Sequence, residues 1–194
     1  MIPKIIHQVW FGDRPEEIRQ LMLTVRAIHP GWEIRMWHED NIEKLGLNWA
    51  DLIDKCQNAA SVSNIVRLFA VLQFGGFYLD CDVRCQNPLT PLLIHRAVAA
   101  FQGQTDERIC NAIFGAEPKH PWIAWQLNGD NLEKLKNADA ARGVYIMTEA
   151  PRQGLSLIWS HKFYPIGWEN PPKERKLPTD SFTDHYWNGS WKEK

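Results

Sequence analysis

Residues 74–83, Phe74-Gly75-Gly76-Phe77-Tyr78-Leu79-Asp80-Cys81-Asp82-Val83, constrain this chain more than any other stretch. The glycine pair releases the chain from a preceding helix, since glycine adopts the backbone conformations that end one. A short apolar run then reads as a buried strand, with two carboxylates one residue apart at its end. Two acids at the mouth of an apolar strand raise each other's pKa and resist desolvation. A divalent cation removes that penalty, because hard oxygen ligands suit Mg²⁺ or Mn²⁺. The pair therefore reads as a metal site at the carboxyl edge of a sheet, where open α/β folds bind ligands.

The flanking sequence supports such a sheet. Residues 5–11 are a β-branched and aromatic run, a first buried strand closed by Gly12-Asp13. Pro15-Glu16-Glu17 opens a helix, with proline in its first turn and acids near its positive end. Ile18, Leu21, Met22, Val25 and Ile28 recur at helical spacing until Pro30-Gly31 stops it. Residues 32–37 alternate, with Trp32, Ile34 and Met36 on one face, as a second strand does. Strand, helix and strand in this order predict a parallel sheet with a right-handed crossover. Residues 39–58 read as short helices. Ser61 or Ser63 is placed to cap the next helix, whose apolar face carries Ile65, Leu68, Phe69 and Leu72. Asn64 and Arg67, three apart, share one face of it. Beyond the acid pair, Asn87-Pro88 and Thr90-Pro91 mark turns, residues 97–102 and 110–115 strands, and residues 121–136 an amphipathic helix. From Pro165 onward the chain lacks periodicity, which predicts an ordered but irregular tail.

No repeat or linker interrupts the pattern. A single α/β domain over residues 1–194 is expected, burying roughly 70% of its unfolded surface. A formal charge of −1 gives no electrostatic case for nucleic acid. Ten tryptophans exceed what a core of this size needs, which leaves some for stacking on a base or sugar ring. Cys56, Cys81, Cys85 and Cys110 form neither a CxxC pair nor a zinc pattern and read as free thiols. Met1-Ile2-Pro3-Lys4 lacks the apolar segment of a signal peptide, and no run reaches membrane-spanning length. A cytoplasmic protein is expected, with peripheral attachment to the cytoplasmic face of a membrane left open.

Taken together, the segments resemble the DXD-containing sugar transferases of glycosyltransferase family thirty-two, distantly like the clostridial glucosylating toxins. The match runs through residues 2–12, through Ala60 to Arg67 with Gly75-Gly76-Phe77-Tyr78-Leu79-Asp80-Cys81-Asp82, and through Asn111-Ala112-Ile113-Phe114-Gly115-Ala116 with His120-Pro121. It closes on His185-Tyr186-Trp187-Asn188-Gly189-Ser190-Trp191. The resemblance implies a GT-A fold: one Rossmann-like domain whose mostly parallel sheet is flanked by helices. It further implies a nucleotide-sugar donor, Mn²⁺ or Mg²⁺, and retention of anomeric configuration. Residues 1–100 would bind the nucleotide sugar; residues 101–194 would serve the acceptor and, near the C-terminus, the metal and diphosphate. Asp82 would contact the metal, Asp80 the ribose or sugar and the metal, and His185 would be a further ligand. Ser190 and Trp191 would hold the diphosphate, Trp10 would stack on the base with Gln8 in the same strand, and Arg67, Asn64 and Asn111 would face the sugar. A UDP-linked donor is favoured over a GDP-linked one, and a glycan or lipid-linked saccharide of surface polysaccharide synthesis is the expected acceptor.

Two departures from the family pattern bear on activity. Ser63-Asn64 stands where Ser-Asp is usual, so an acceptor oxygen is kept but the charge is lost and a donor added. Thr148-Glu149-Ala150-Pro151 stands where a glycine-bearing Thr-Gly-Pro is expected. The first motivates a rival reading, a catalytically degenerate sugar-binding module. A second rival, a haloacid-dehalogenase-type phosphatase with Asp80 as nucleophile, needs a late acidic pair, and no Asp-Asp occurs downstream.

Overall fold

The computed structural model describes residues 1–103, 106–137, 141–167 and 176–188. In chain order its elements are β1 (Ile5–Val9), α1 (Glu16–Ile28), β2 (Glu33–Trp37), α2 (Trp49–Lys55), α3 (Ala59–Phe74), β3 (Gly76–Leu79) and β4 (Val83–Cys85). There follow β5 (Ala97–Phe101), β6 (Ile109–Ala116), α4 (Pro121–Gln126), α5 (Gly129–Lys136), α6 (Arg142–Glu149), β7 (Leu155–Ile158), α7 (Ser160–Phe163) and β8 (Thr183–His185). Six strands form a mixed sheet in the order β2-β1-β3-β6-β5-β7, while β4 and β8 pair as a separate ribbon.

The first crossover is parallel, as its sequence predicts: Ile6 lies opposite Ile34 on one side and Phe77 on the other. From β1 the chain turns to β2 on one side and returns to β3 on the other. That reversal opens a crevice beyond the carboxyl ends of β1 and β3, the position at which such sheets bind ligands. β3 then pairs antiparallel with β6, Leu79 opposite Ile113, so the amino end of β6 reaches the same edge.

Apolar side chains alternate onto the two faces of the sheet. Tyr78 and Phe114 pack with Val62, Ile65 and Trp122 beneath α3 and α4, while Phe77 and Leu79 pack with Ile6, Val25 and Phe163 beneath α1 and α7. The glycine pair at the α3–β3 junction is sterically obligatory. Gly75 and Gly76 have φ of +64° and +96°. A Cβ on Gly76 would sit 2.5 Å from the Ile5 carbonyl oxygen, and one on Gly75 would sit 2.7 Å from Pro118 Cδ. The turn that delivers the acid pair thus needs glycine at both positions.

Three local expectations are corrected. Asn58, not Ser61 or Ser63, caps α3, its side-chain oxygen accepting from the Ser61 amide at 3.0 Å, so both serines fall within the helix. Residues 121–136 form two helices, because Asn128 caps α5 by accepting from the Asn131 amide and restarts the chain there. The tail contains a strand, β8, too short to carry a periodic signal.

His7 locks β1 to its neighbours: Nε2–H donates to the Gly75 carbonyl at 2.8 Å, and Nδ1 accepts from Trp37 Nε1–H at 3.1 Å. Burial lowers its pKa from 6.5 to about 4, only partly opposed by the Gly75 contact. The unfolded chain takes up a proton that the folded chain refuses, so this stabilisation is complete above pH 6.5 and is lost as pH falls toward 4. The loss should reach about 3 kcal/mol at the acid end. Urea unfolding of wild type and His7→Gln at neutral pH and near pH 4.5 checks this, since the variant should show the flatter pH dependence. Equal slopes would contradict it.

Candidate active site

The crevice is a cleft of about 550 Å³. Its lining includes Trp10, Phe11, Ile18, Trp187 and Asn188, and also Gln102, Arg108, Val144 and Tyr145. Ser63, Arg67, Asp80, Asp82, Asn111 and His185 line it as well.

Asp80 and Asp82 leave the end of β3 on a tight turn, with the Val83 amide donating to the Asp80 carbonyl at 3.2 Å. The Asp80 amide donates to the Ala112 carbonyl at 2.8 Å, and the buried Cys81 thiol donates to the Val9 carbonyl at 3.3 Å. The turn is thereby tied to β6 and to the end of β1. His185 arrives from a residue 103 positions away because β8 pairs with β4, placing it opposite Val83. Its Nε2 lies 3.1 Å from Asp82 Oδ1 and 3.8 Å from Asp80 Oδ2.

Different neighbours hold the two carboxylates. Tyr78, two residues earlier on the same face of β3, donates its hydroxyl to Asp80 Oδ1 at 2.5 Å. Arg67 Nη1 lies 3.2 Å from the same oxygen. Arg67 is itself fixed: Nη1 donates to the Asn111 carbonyl at 2.8 Å, Nε to the Ser63 carbonyl and Nη2 to Ser63 Oγ, with the guanidinium 4.4 Å over the Tyr78 ring. Burial raises the Asp80 pKa, Arg67 opposes the rise and Asp82 adds to it. For Asp82, burial pushes upward as well, but His185 and the Asn188 amide, at 3.0 Å from Oδ2, outweigh it and hold the carboxyl low. His185 is pushed down by burial, yet Asp82 and then Asp80 raise its pKa overall. Trp187 adopts φ +58°, an uncommon conformation for a large residue. That left-handed turn lets the next amide point back at Asp82, while the Trp187 indole donates to the Ile166 carbonyl at 2.8 Å and its ring covers His185.

One ligand atom from each of Asp80, Asp82 and His185 falls within 4.8 Å of the others. Two carboxylate oxygens and an imidazole nitrogen suit Mg²⁺ or Mn²⁺. Asp80 keeps Oδ2 for this role, since Arg67 and Tyr78 engage Oδ1. The donor set fits a divalent cation.

Of the residues singled out in the sequence, Trp10, Arg67, Asp80, Asp82, Asn111 and His185 meet at the cleft. Arg67 pairs with Asp80 while still lining the wall. Asn64 is buried behind Asn111, its Oδ1 accepting from Asn111 Nδ2 at 2.8 Å, and does not line the cleft. Gln8 is buried within β1, away from the lining, with neither amide atom partnered among the described residues. Ser190 and Trp191 lie outside the described residues. The sequence assigns no place in the site to Tyr78, Ser63, Trp187 or Asn188. Tyr78 was findable, because residues two apart on a strand share a face.

Residues 15–99 match the family model described as a glycosyltransferase sugar-binding region containing a DXD motif. Inositol phosphoceramide mannosyltransferase 2 of Schizosaccharomyces pombe is 26% identical over 208 aligned positions, covering 98% of this chain and 58% of its own. Mannosyl phosphorylinositol ceramide synthase SUR1 of Saccharomyces cerevisiae is 29% identical over 168, covering 82% of this chain and 42% of its own. The chain spans about half the length of these curated relatives. Among solved structures, the galactosyltransferase LgtC superposes with a TM-score of 0.57 at 13% identity, covering 94% of this chain and 86% of that one. The PaToxG glycosyltransferase gives 0.51 at 17%, covering 78% and 68%. The chain is thus similar to the DXD-containing glycosyltransferases, with a GT-A fold that sets the DXD carboxylates, Asp80 and Asp82, in its crevice.

Proposed function

We propose that this chain is a retaining, metal-dependent glycosyltransferase that moves a sugar from a nucleotide-linked donor to a saccharide or glycolipid acceptor. The observation that carries the reading is the convergence of Asp80, Asp82 and His185 on one wall of the cleft. A bound divalent cation, with Mn²⁺ first to test, supplies charge stabilisation to the leaving nucleoside diphosphate. The chain's own residues do the rest. Trp10 stacks on the base, and Asn111 orients the sugar. Arg67 pairs with Asp80 and aligns it. Val144 and Tyr145 flank the acceptor, so residues 1–100 serve mainly the donor and residues 101–194 mainly the acceptor.

Asp80 and Asp82 are the only carboxylates among the described residues lining the cleft, and both are engaged by basic partners. An inverting reaction needs a further base to deprotonate the acceptor hydroxyl. Retention is what the family resemblance implies, and no further carboxylate stands among the described residues of the lining. The bond from the anomeric carbon to the phosphate oxygen breaks, the acceptor oxygen bonds from the same face, and its proton passes to that leaving phosphate oxygen. A phosphatase of the haloacid-dehalogenase type needs a late acidic pair, and no Asp-Asp occurs downstream of Asp82.

A UDP-linked donor and an acceptor in surface polysaccharide synthesis remain the proposal from sequence. The relatives' names add mannosyl to the sugars to test and support a lipid-borne acceptor. Incubation with UDP- and GDP-sugars and Mn²⁺ should release nucleoside diphosphate from one donor, and chelation should stop the release. Binding without turnover for every donor would instead favour the degenerate sugar-binding module.

A further inference from the structure

We infer that Gly143 is a positioning residue: lacking a Cβ, it lets α6 seat directly on the Asn64–Asn111 amide pair and thereby fixes Asn111 at the cleft wall. The inference rests on the transferase reading and names a determinant of it outside the conspicuous motifs.

Gly143 is buried in α6 and is not among the glycines of positive φ. Its backbone conformation is open to any residue, and helix propensity favours alanine there. Space is what demands glycine. A Cβ at this position would lie 2.4 Å from Asn111 Nδ2 and 2.8 Å from both Cγ and Oδ1 of Asn64.

None of the parties can step aside freely. Asn111 Nδ2 donates to Asn64 Oδ1 at 2.8 Å, and the Asn111 carbonyl accepts from Arg67, which holds Asp80. The helix is pinned as well: the Ile109 amide donates to Thr148 Oγ1 at 2.9 Å, and the Thr148 hydroxyl donates to the Val144 carbonyl. With its amide nitrogen committed to Asn64, Asn111 keeps its side-chain oxygen. That oxygen has no protein hydrogen bond among the described residues, on a residue that lines the cleft. Such a fixed acceptor suits a sugar hydroxyl. Because α6 also supplies Val144 and Tyr145 to the lining, the helix seated on the amide pair also shapes the cleft wall.

The test is Gly143→Ala in the full chain, with Gly129→Ala as its control, since a Cβ on Gly129 meets nothing within 4 Å. Three quantities are measured: the thermal midpoint, Mn²⁺-dependent binding of UDP or GDP by calorimetry, and kcat and KM for donor hydrolysis. Gly143→Ala should bind the nucleoside diphosphate with wild-type affinity but lose about 100-fold in kcat, the scale of an ångström's misplacement. Gly129→Ala should match wild type throughout. Unchanged kcat in Gly143→Ala would overturn the inference, as would a parallel loss of diphosphate binding, which marks general collapse. If the variant folds poorly, adding Asn64→Ala together with Asn111→Ala removes the atoms it strikes and should restore the thermal midpoint without restoring turnover; recovery of both would overturn it. A wild-type chain that binds no diphosphate with Mn²⁺ contradicts the transferase reading itself, which is a separate result.

Discussion

Replacing Asp82 with alanine should lower donor turnover about a thousandfold, the loss of roughly 4 kcal/mol of transition-state stabilisation. Of the two site acids, Asp82 is the one whose pKa is lowered, the one paired directly with His185, and the one reached by the Asn188 amide. Its removal takes away one of three converging ligand atoms and leaves the others disorganised. The fold should survive, because losing Asp82 also relieves its repulsion of Asp80, so the thermal midpoint should move little. His185 should report the change independently. Asp82 is the main group raising its pKa against burial, so the imidazole should titrate lower in the variant, by NMR. Turnover within a fewfold of wild type would remove Asp82 from the reaction.

Arg67→Met should have the largest effect on stability. The Arg67 side chain is only 8% exposed, and it answers the charge of Asp80, which is 25% exposed. Removing one member of a buried pair leaves the other uncompensated, at a loss of about 4 kcal/mol. In a chain of this size that corresponds to a fall of roughly 10 °C in thermal midpoint. Three hydrogen bonds to Ser63 and Asn111 go with it, so Arg67→Lys, with a point charge instead of a planar fork, should recover less than half. Adding Asp80→Asn to Arg67→Met should recover much of the stability and none of the activity. A thermal midpoint unchanged in Arg67→Met would show that water, not Arg67, satisfies Asp80.

The parts of the fold legible in the sequence are those whose signal is local. Gly75-Gly76 before an apolar run places β3 and its acids, and Ile18 to Ile28 carries its helical period openly. The α4–α5 break was missed because Leu127-Asn128-Gly129 interrupts one amphipathic stripe with a cap rather than a proline. The β4–β8 ribbon was invisible for another reason. Strands of three residues have no period, and their pairing joins segments about 100 residues apart, so His185 was placed by resemblance rather than by pattern. The site divides likewise. Asp80 and Asp82 stand out as a motif, whereas the Arg67–Asp80 pair and the Gly143 contact depend on where α3, α6 and β6 meet in space. Asn64 illustrates the limit: the family resemblance implies a sugar contact for it, but its burial behind Asn111 gives it a supporting position.

The central claim is that Asp80, Asp82 and His185 together grip an ion that holds a nucleotide's diphosphate. Calorimetric titration of the wild-type chain with UDP and GDP, with and without Mn²⁺, tests it most directly. Binding of one nucleotide only when Mn²⁺ is present, and its loss in Asp82→Ala, is the predicted result. Binding of equal strength without the ion, or no binding of either nucleotide with it, would contradict the account.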